Sequence, residues 1–413
     1  MSTHRRLLIL AFLYMAQGLP YGFFTQALPT MMREQGLDLA LIGAASLLAL
    51  PWALKFLWSP FLDRYGFLPN LFGRAAHRRS WILLANVLAA SGLVVLSFAP
   101  LDWWMGAGIY SLFAVVFCMN FFAASQDIST DALAVEGIRP QERGLANGIQ
   151  VAGYRVGMVL GGGLILGWMT VLEWQGAMWC MAALLVLSCW PVVFWQQEQS
   201  PTDHDSYMAA YKGLFSRSGI VFWLSILLLY KMGDAFGSAM LRPMLVDQGL
   251  GLADIAWLLG TWGVVAGLVG AVMGGVLVKY LGRYRSLLIF AVLHAACMGS
   301  FALIPALDWT IASDQNWLFV LCMLEHIAGG MATAALFTLM MDYCRPTHGG
   351  LDYSLQSCLI IISGLLVGGL SGASAKATGY PMHYLIALGM GLLAVVWVRI
   401  QRALIERHAV SGD

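Results

Sequence analysis

Hydrophobic positions in this chain do not alternate along a strand or mark one stripe of a helix. They form continuous runs of about twenty residues, broken by short stretches that hold most of the charge. Crossing a bilayer core of ~30 Å takes about 20 apolar residues in a helix. In lipid only helices or closed barrels satisfy their own backbone groups. The runs are too long and too evenly apolar for barrel strands, so each predicts a helix. Twelve are counted, at about 7–27, 39–59, 80–98, 105–131, 144–168, 176–195, 220–241, 254–277, 286–306, 316–341, 353–374 and 380–401. The first run continues past Leu19, Phe23 and Phe24 without a small-residue cleavage site and is expected to be an uncleaved span.

The widest polar gap, 196–219, opens with QQEQSPTDHD and splits the chain into six runs and six runs. The halves repeat. QGLDLALIG (Gln35–Gly43) matches QGLGLADIA (Gln248–Ala256), and GLANGIQ (Gly144–Gln150) matches GLDYSLQ (Gly350–Gln356). The expected organisation is an all-α membrane protein of two pseudo-symmetric six-helix bundles, 1–195 and 220–413, joined by a cytoplasmic linker at 196–219. Parallel repeats of this kind enclose a solute site and alternate access by rocking.

Composition agrees. Of 413 residues, 60% are hydrophobic and 11% charged, with mean hydropathy +0.74, against about 25% charged in a soluble domain. A net charge of +1 spread over short loops predicts no nucleic-acid partner. With both termini on one side, seventeen of the 23 basic residues gather there, which places the termini and linker in the cytoplasm. The seven cysteines show no metal-ligand spacing, and no metal or cofactor is expected. No HExxH, GxSxG or phosphate-loop motif is present, so an enzyme is not expected.

Ionisable residues inside such runs are costly and mark solute or ion pathways. At 1.5 Å per residue, Gln17, Arg155, Lys231 and Glu325 lie roughly 14–16 Å into their runs, near mid-membrane, with Asp234 and His326 close by. Asn120, Asp127 and Asp131 share one helical face, nearer the cytoplasmic end. The stretch from Ala124 to Gly163 also carries Gln150 and Tyr154. The expected solute-binding set is Gln17, Tyr21, Asn120, Gln150, Tyr154, Arg155, Lys231, Glu325 and His326. Tyr14, Phe24, Trp52, Tyr230 and Phe236 are available as aromatic walls. Arg155 and Lys231 either hold an anion or pair with Asp127, Asp234 or Glu325. Glu325, Asp234, Asp127 and Asp131 are the candidates for coupling to a proton, since a buried carboxyl can load and release one. The third, sixth, ninth and twelfth runs carry almost no buried charge; only Asn86 and His294 stand out as polar, and His326 and His294 are expected to bond between helices. Glycine runs at Gly157–Gly163, Gly263–Gly275 and Gly364–Gly372 allow close helix packing.

Between the second and third runs, SPFLDRYG (Ser59–Gly66) and then HRRS (His77–Ser80) place Asp63, Arg64, Gly66, Arg78 and Arg79 in a tight loop, repeated in part as KYLGRYRS (Lys279–Ser286). This loop resembles the signature of the major facilitator superfamily, and the resemblance implies a gating role for those five residues. Further elements, QGLP at Gln17, LPWALKFLWSPFLDR at Leu50–Arg64 and SQDISTDA…YRVGM from Ser125 to Met158, resemble the AmpG-like permease family. That family includes muropeptide permeases, acetyl-CoA transporters and a compact siderophore permease branch of the RhtX/FptX type. Because the chain stops soon after its twelfth run, the siderophore branch is the expected one. It implies proton-coupled import of a ferric siderophore such as pyochelin across the inner membrane, a functional link to an outer-membrane receptor, and a monomer in the lipid bilayer. Muropeptide import is the alternative.

Overall fold

The computed structural model describes residues 2–65, 77–195, 206–306, 315–403 and 405–406. Among these residues every regular element is helical. Nine helices are long and apolar enough to cross a membrane. Two of them are double. Pro140–Phe194 breaks at Glu173, whose φ of 55° is unusual for a residue with a Cβ, and Gly349–Ile400 breaks at Gly379, φ 76°. Taking each half separately and adding the shorter apolar helix Leu41–Leu57 brings the spans to twelve.

They are labelled in chain order: α1 Thr3–Glu34, α2 Leu41–Leu57, α3 His77–Ser97, α4 Ile109–Gly137, α5 140–172, α6 174–194, α7 Ile220–Asp247, α8 Trp257–Leu281, α9 Arg283–Pro305, α10 Asn316–Asp342, α11 349–378 and α12 380–400. Part of the 196–219 gap is a short linker helix, Tyr207–Phe215; 196–205 and Gly66 lie outside the described residues.

The chain forms two compact units. One comprises Met1–Ile138, Ala152–Tyr211 and Cys344–Cys358, the other Arg139–Val151, Lys212–Tyr343 and Leu359–Asp413. The segments GLANGIQ and GLDYSLQ, matched by the sequence repeat, therefore occupy corresponding places, the first in unit 2 and the second in unit 1.

In unit 1, α4 is the central helix, and every residue from Ala123 to Val135 is buried. A helix apolar all round belongs in the interior, yet this one carries Gln126, Asp127 and Asp131, which therefore need partners. α1 and α5 meet backbone to backbone. A Cβ on Gly157 would strike Met15 O and the Gly18 Cα, and one on Gly18 would strike Tyr154 O. Both helices depart from α-helical geometry in this region, with π turns at Phe23–Ala27 and Leu160–Leu164. Such turns are frequent at functional sites.

In unit 2, α8 and α10 pack through Gly270 against Ile327, Gly274 against Met331 and Gly330 against Gly267. The third glycine run behaves differently. A Cβ on Gly364 or Gly368 would meet only ordinary contacts, and one on Gly369 nothing within 4 Å. Helix α7 is interrupted at Lys231, φ −103° and ψ 0°, so its two parts, Ile220–Tyr230 and Met232–Asp247, join at a charged residue.

These contacts predict opposite effects of one substitution. Gly157→Ala should lower the stability of the detergent-solubilised protein by about 1–3 kcal/mol through overpacking, whereas Gly369→Ala should leave the thermal midpoint unchanged or slightly raised. Equal midpoints for both variants would contradict the α1–α5 packing.

Candidate functional site

Each unit holds a group of one lysine and two carboxylates. In unit 1, Asp127 and Asp131 lie one helical turn apart on α4 and meet Lys55 at the end of α2. The Lys55 ammonium contacts Asp127 Oδ2 and lies 3.5 Å from Asp131 Oδ2. The Tyr14 hydroxyl of α1 donates to Asp131 Oδ1 at 3.1 Å. All four are buried, Lys55 to 2% and Asp131 to 1% exposure. The local charge of this group is one negative. Lys55, absent from the expected solute-binding set, is thus the partner of both aspartates, rather than Arg155 or Lys231.

Beside this group lies an aromatic set. Tyr21 of α1 stands 5.5 Å from Tyr154 of α5, 5.6 Å from Trp52 of α2 and 5.0 Å from Phe24, ring centre to ring centre. Asn120 of α4 accepts from Trp52 Nε1 at 3.4 Å and donates to Leu48 O at 2.9 Å. Gln17 is 1% exposed and its Nε2 has no hydrogen-bond partner among the described residues. A buried amide donor without a partner is costly, and a solute oxygen would satisfy it. Arg155 is half-buried on α5, one residue and about 100° around the helix from Tyr154. Gln150 is buried and belongs to unit 2.

The unit 2 group is larger. Lys231 contacts Asp234 Oδ2 one turn along α7 and donates to Thr333 Oγ1 of α10 at 3.2 Å. His294 of α9 places Nε2 at 3.2 Å from Glu325 Oε1 and 3.7 Å from Asp234 Oδ1. His326 Nδ1 lies 2.7 Å from Glu325 Oε2 and 2.9 Å from Cys322 O. Gly329 and Gly263 leave room for the two imidazoles, since a Cβ at either would press on a ring. His294 bonds between helices as expected, from α9 to α10. It joins the charge group, a role that its isolated position in an apolar run could not reveal. Donor atoms of Asp234, His294 and Glu325 lie within 4.8 Å of one another. The Lys231 ammonium already supplies the cation, so the arrangement is an ion-pair network.

The loop residues form a third group at the span ends. Arg78 bridges Asp63 at 2.6 Å and Glu136 of α4 at 2.8 Å. Asp63 also accepts from the backbone N–H groups of Gly350 and Leu351, at 3.2 and 2.8 Å. A carboxylate at a helix N-terminus satisfies orphan donors and complements the helix dipole. Arg64 lies over the Tyr65 ring and Arg79 donates to Val193 O, so neither joins the Asp63–Arg78 pair.

The linker helix is tied to the same region. Tyr211 donates to Phe56 O at 2.6 Å, and Arg345, paired with Asp352, donates to Ala210 O at 3.1 Å. Burial, with help from Tyr207, pushes the Tyr211 phenol well above its usual value, which keeps that donor protonated. A cavity of about 310 Å³ lies here, lined by Asp63, Arg64, Tyr207 and His348 among others. Unit 2 has a corresponding bridge. Asp342, ending α10, accepts from Arg143 at 2.8 Å and from Arg283 at 3.0 Å. Neither Glu136 nor Asp342 is in the expected gating set. Both lie at helix ends 206 residues apart, so the repeat offset carried the signal.

Residues 10–313 match the model of the Major Facilitator Superfamily. Over 418 aligned residues the chain is 32% identical to an anhydromuropeptide permease of Escherichia coli K12, covering 98% of this chain and 81% of that one. An uncharacterised protein of Haemophilus influenzae is 31% identical over 95% of this chain and 94% of its own length. A solved proton:xylose symporter superposes with a TM-score of 0.71 at 13% identity, covering 94% of both chains. A bacterial homologue of the iron transporter ferroportin gives 0.68 at 17% identity, covering 97% of this chain and 99% of that one; likeness at such identity speaks for the fold alone. These findings overturn the expectation of a siderophore permease, because similarity at this level over nearly the whole chain runs to an anhydromuropeptide permease. The expected outer-membrane receptor loses its basis with that reading. The protein is a multi-pass membrane transporter of a small-molecule solute rather than an enzyme.

Removing the Lys55 ammonium leaves two buried carboxylates without a counter-ion. Breaking a buried pair from one side typically costs about 3–5 kcal/mol. Lys55→Met should therefore lower the thermal midpoint sharply, and Lys55→Met with Asp127→Leu should recover much of the loss. A single variant as stable as the parent protein would contradict the pairing.

Proposed function

Because the chain belongs to the Major Facilitator Superfamily, and within it to the AmpG-like permease family, we propose that it imports anhydromuropeptides across the inner membrane into the cytoplasm. The observation that carries this reading is the 32% identity to an anhydromuropeptide permease across 98% of the chain. The site chemistry supports it. A muropeptide joins sugar rings to a peptide, so it offers apolar sugar faces, many hydroxyl and amide oxygens, and carboxylates. Tyr21, Trp52 and Tyr154 supply flat walls for rings, and Gln17 supplies an unpaired amide donor. Asn120 and Arg155 extend the polar lining in unit 1; within unit 2, Gln150, Lys231, Glu325 and His326 are the polar and charged groups this reading draws on.

In this reading both termini and the linker face the cytoplasm, the halves 1–195 and 220–413 move against each other, and one chain suffices for transport. Asp63, Arg78 and Glu136 in unit 1, with Arg143, Arg283 and Asp342 in unit 2, hold span ends in one state and release them in the other. The Arg78 pairs are buried, with side-chain exposures of 3% for Arg78 and 5% for Asp63, so release requires a new partner for each charge.

Expression in a bacterial strain lacking its own anhydromuropeptide permease should restore uptake of radiolabelled anhydromuropeptide into the cytoplasm. Tyr154→Ala and Gln17→Ala should each reduce that uptake by about tenfold or less, the value of one lost contact of ~1.4 kcal/mol, at unchanged membrane levels. Uptake equal to that of the empty vector would reject the proposal.

A further inference from the structure

The unit 2 group contains more titratable side chains than ion pairing requires. Lys231 and Asp234 alone would form a neutral pair. Glu325 is added, 5% exposed, and its only close polar partners among the described residues are two imidazoles. The hydrogen-bond pattern assigns their tautomers. His326 Nδ1 faces Cys322 O and Glu325 Oε2, both acceptors. His294 Nε2 faces Glu325 Oε1 and Asp234 Oδ1, both acceptors as well. Each nitrogen must therefore carry a proton and donate, and a neutral imidazole suffices at each position. With both rings neutral, one ammonium and two carboxylates leave the group one negative charge in excess. Buried net charge is expensive, and one proton added to Glu325 or an imidazole removes it.

The other groups facing Glu325 leave this count unchanged. From α9 comes the Cys297 thiol, from α10 the Cys322 thiol and from α12 the Tyr384 phenol, all uncharged near neutral pH. From α7 comes Asp234, within 4.8 Å, which contacts Lys231 and accepts from Ser238 through Oδ1 at 3.0 Å.

Lys231 and Asp234, with His326 at 20% side-chain exposure, are the more reachable part of the group. The Lys231 and Asp234 side chains are 17% and 22% exposed, those of His294 and Glu325 8% and 7%. Lys231 also sits at the interruption of α7. A carboxylate arriving from the solute would share Lys231 with Asp234. Asp234 would then lack part of its counter-ion, and the negative field on His294 and Glu325 would rise.

We propose that Lys231, Asp234, His294, Glu325 and His326 form a linked site that takes up one carboxylate of the solute and one proton together. This rests on the importer reading above and deepens it, by assigning energy coupling to unit 2. Linkage makes the effect reciprocal: the anion strengthens proton binding and the proton strengthens anion binding by the same factor. The two then travel as a pair, and neither gradient is dissipated by crossing alone. The unit 1 group has the same excess charge, but Lys55 and Asp131 are sealed at 2% and 1% exposure. It holds helices together in this state and offers the solute no reachable cation.

The test is an infrared pH titration of the purified full-length chain in detergent, following the C=O stretch of protonated carboxyl groups between pH 8 and pH 5. A titrating band is expected in the parent protein and a smaller one in Glu325→Gln, where the unit 1 carboxyls alone contribute. Lys231→Met removes a neighbouring cation, so protonation should move to higher pH, by about one unit or more. This second variant keeps the test decisive if Glu325→Gln fails to fold. Anhydromuropeptide should raise the midpoint of the parent protein and leave that of Lys231→Met where it is. An unmoved midpoint in Lys231→Met, or a full band in Glu325→Gln, overturns the proposal. A midpoint that shifts in Lys231→Met but ignores anhydromuropeptide supports the proton seat and counts against that solute.

Discussion

Charge buried without enough opposite charge is the constraint on which this structure turns. A carboxylate in a low-dielectric interior loses several kcal/mol of hydration, and a lone one would not stay ionised or would not stay buried. Both units meet the problem with one lysine and further hydrogen-bond donors: Lys55 contacts both carboxylates of its group, and Lys231 contacts Asp234 while Glu325 is held by other donors. In unit 1 the extra donor is the Tyr14 hydroxyl; in unit 2 it is a pair of imidazoles. Meeting this requirement fixes which helices must be neighbours. Lys55 draws α2 onto α4, Tyr14 draws α1 onto α4, and His294 with Glu325 draws α9 onto α10. Glycines then let backbones close to the distances that short side chains demand, as at Gly157 on α5 and Gly270 on α8.

Much of this was legible in the sequence because hydrophobicity over twenty residues is a coarse quantity. The twelve runs reappear as nine long helices, two of them broken, and one short one. The repeat between Gly144–Gln150 and Gly350–Gln356 reappears in the corresponding places the segments take in the two units. Asp127, Asp131, Lys231 and Glu325, singled out as ionisable residues inside apolar runs, are buried or half-buried.

Pairing was not legible. A lysine or arginine side chain reaches far enough to choose among several carboxylates, and only the packed backbone decides. Lys55 took Asp127 and Asp131, Lys231 took Asp234, and Arg78 took Glu136 along with the expected Asp63. His294 was hidden for another reason: its run is otherwise apolar, and its meaning comes from Glu325 on the next helix. The glycine run Gly364–Gly372 resembled the other two in composition, but no neighbour approaches it closely. The solute class failed for a chemical reason. Aromatic walls with nearby cations suit a phenolate chelate and a sugar–peptide equally well, so the side-chain inventory could not choose between them. Similarity along the whole chain favours the second.

The central claim is that this chain carries an anhydromuropeptide through the bilayer at the expense of a proton gradient. It is tested most directly with purified protein in proteoliposomes, following radiolabelled anhydromuropeptide under an inwardly directed pH gradient. The account predicts transient accumulation above the external concentration, abolished by a protonophore. Uptake no faster than in protein-free liposomes, or accumulation indifferent to the protonophore, would contradict it.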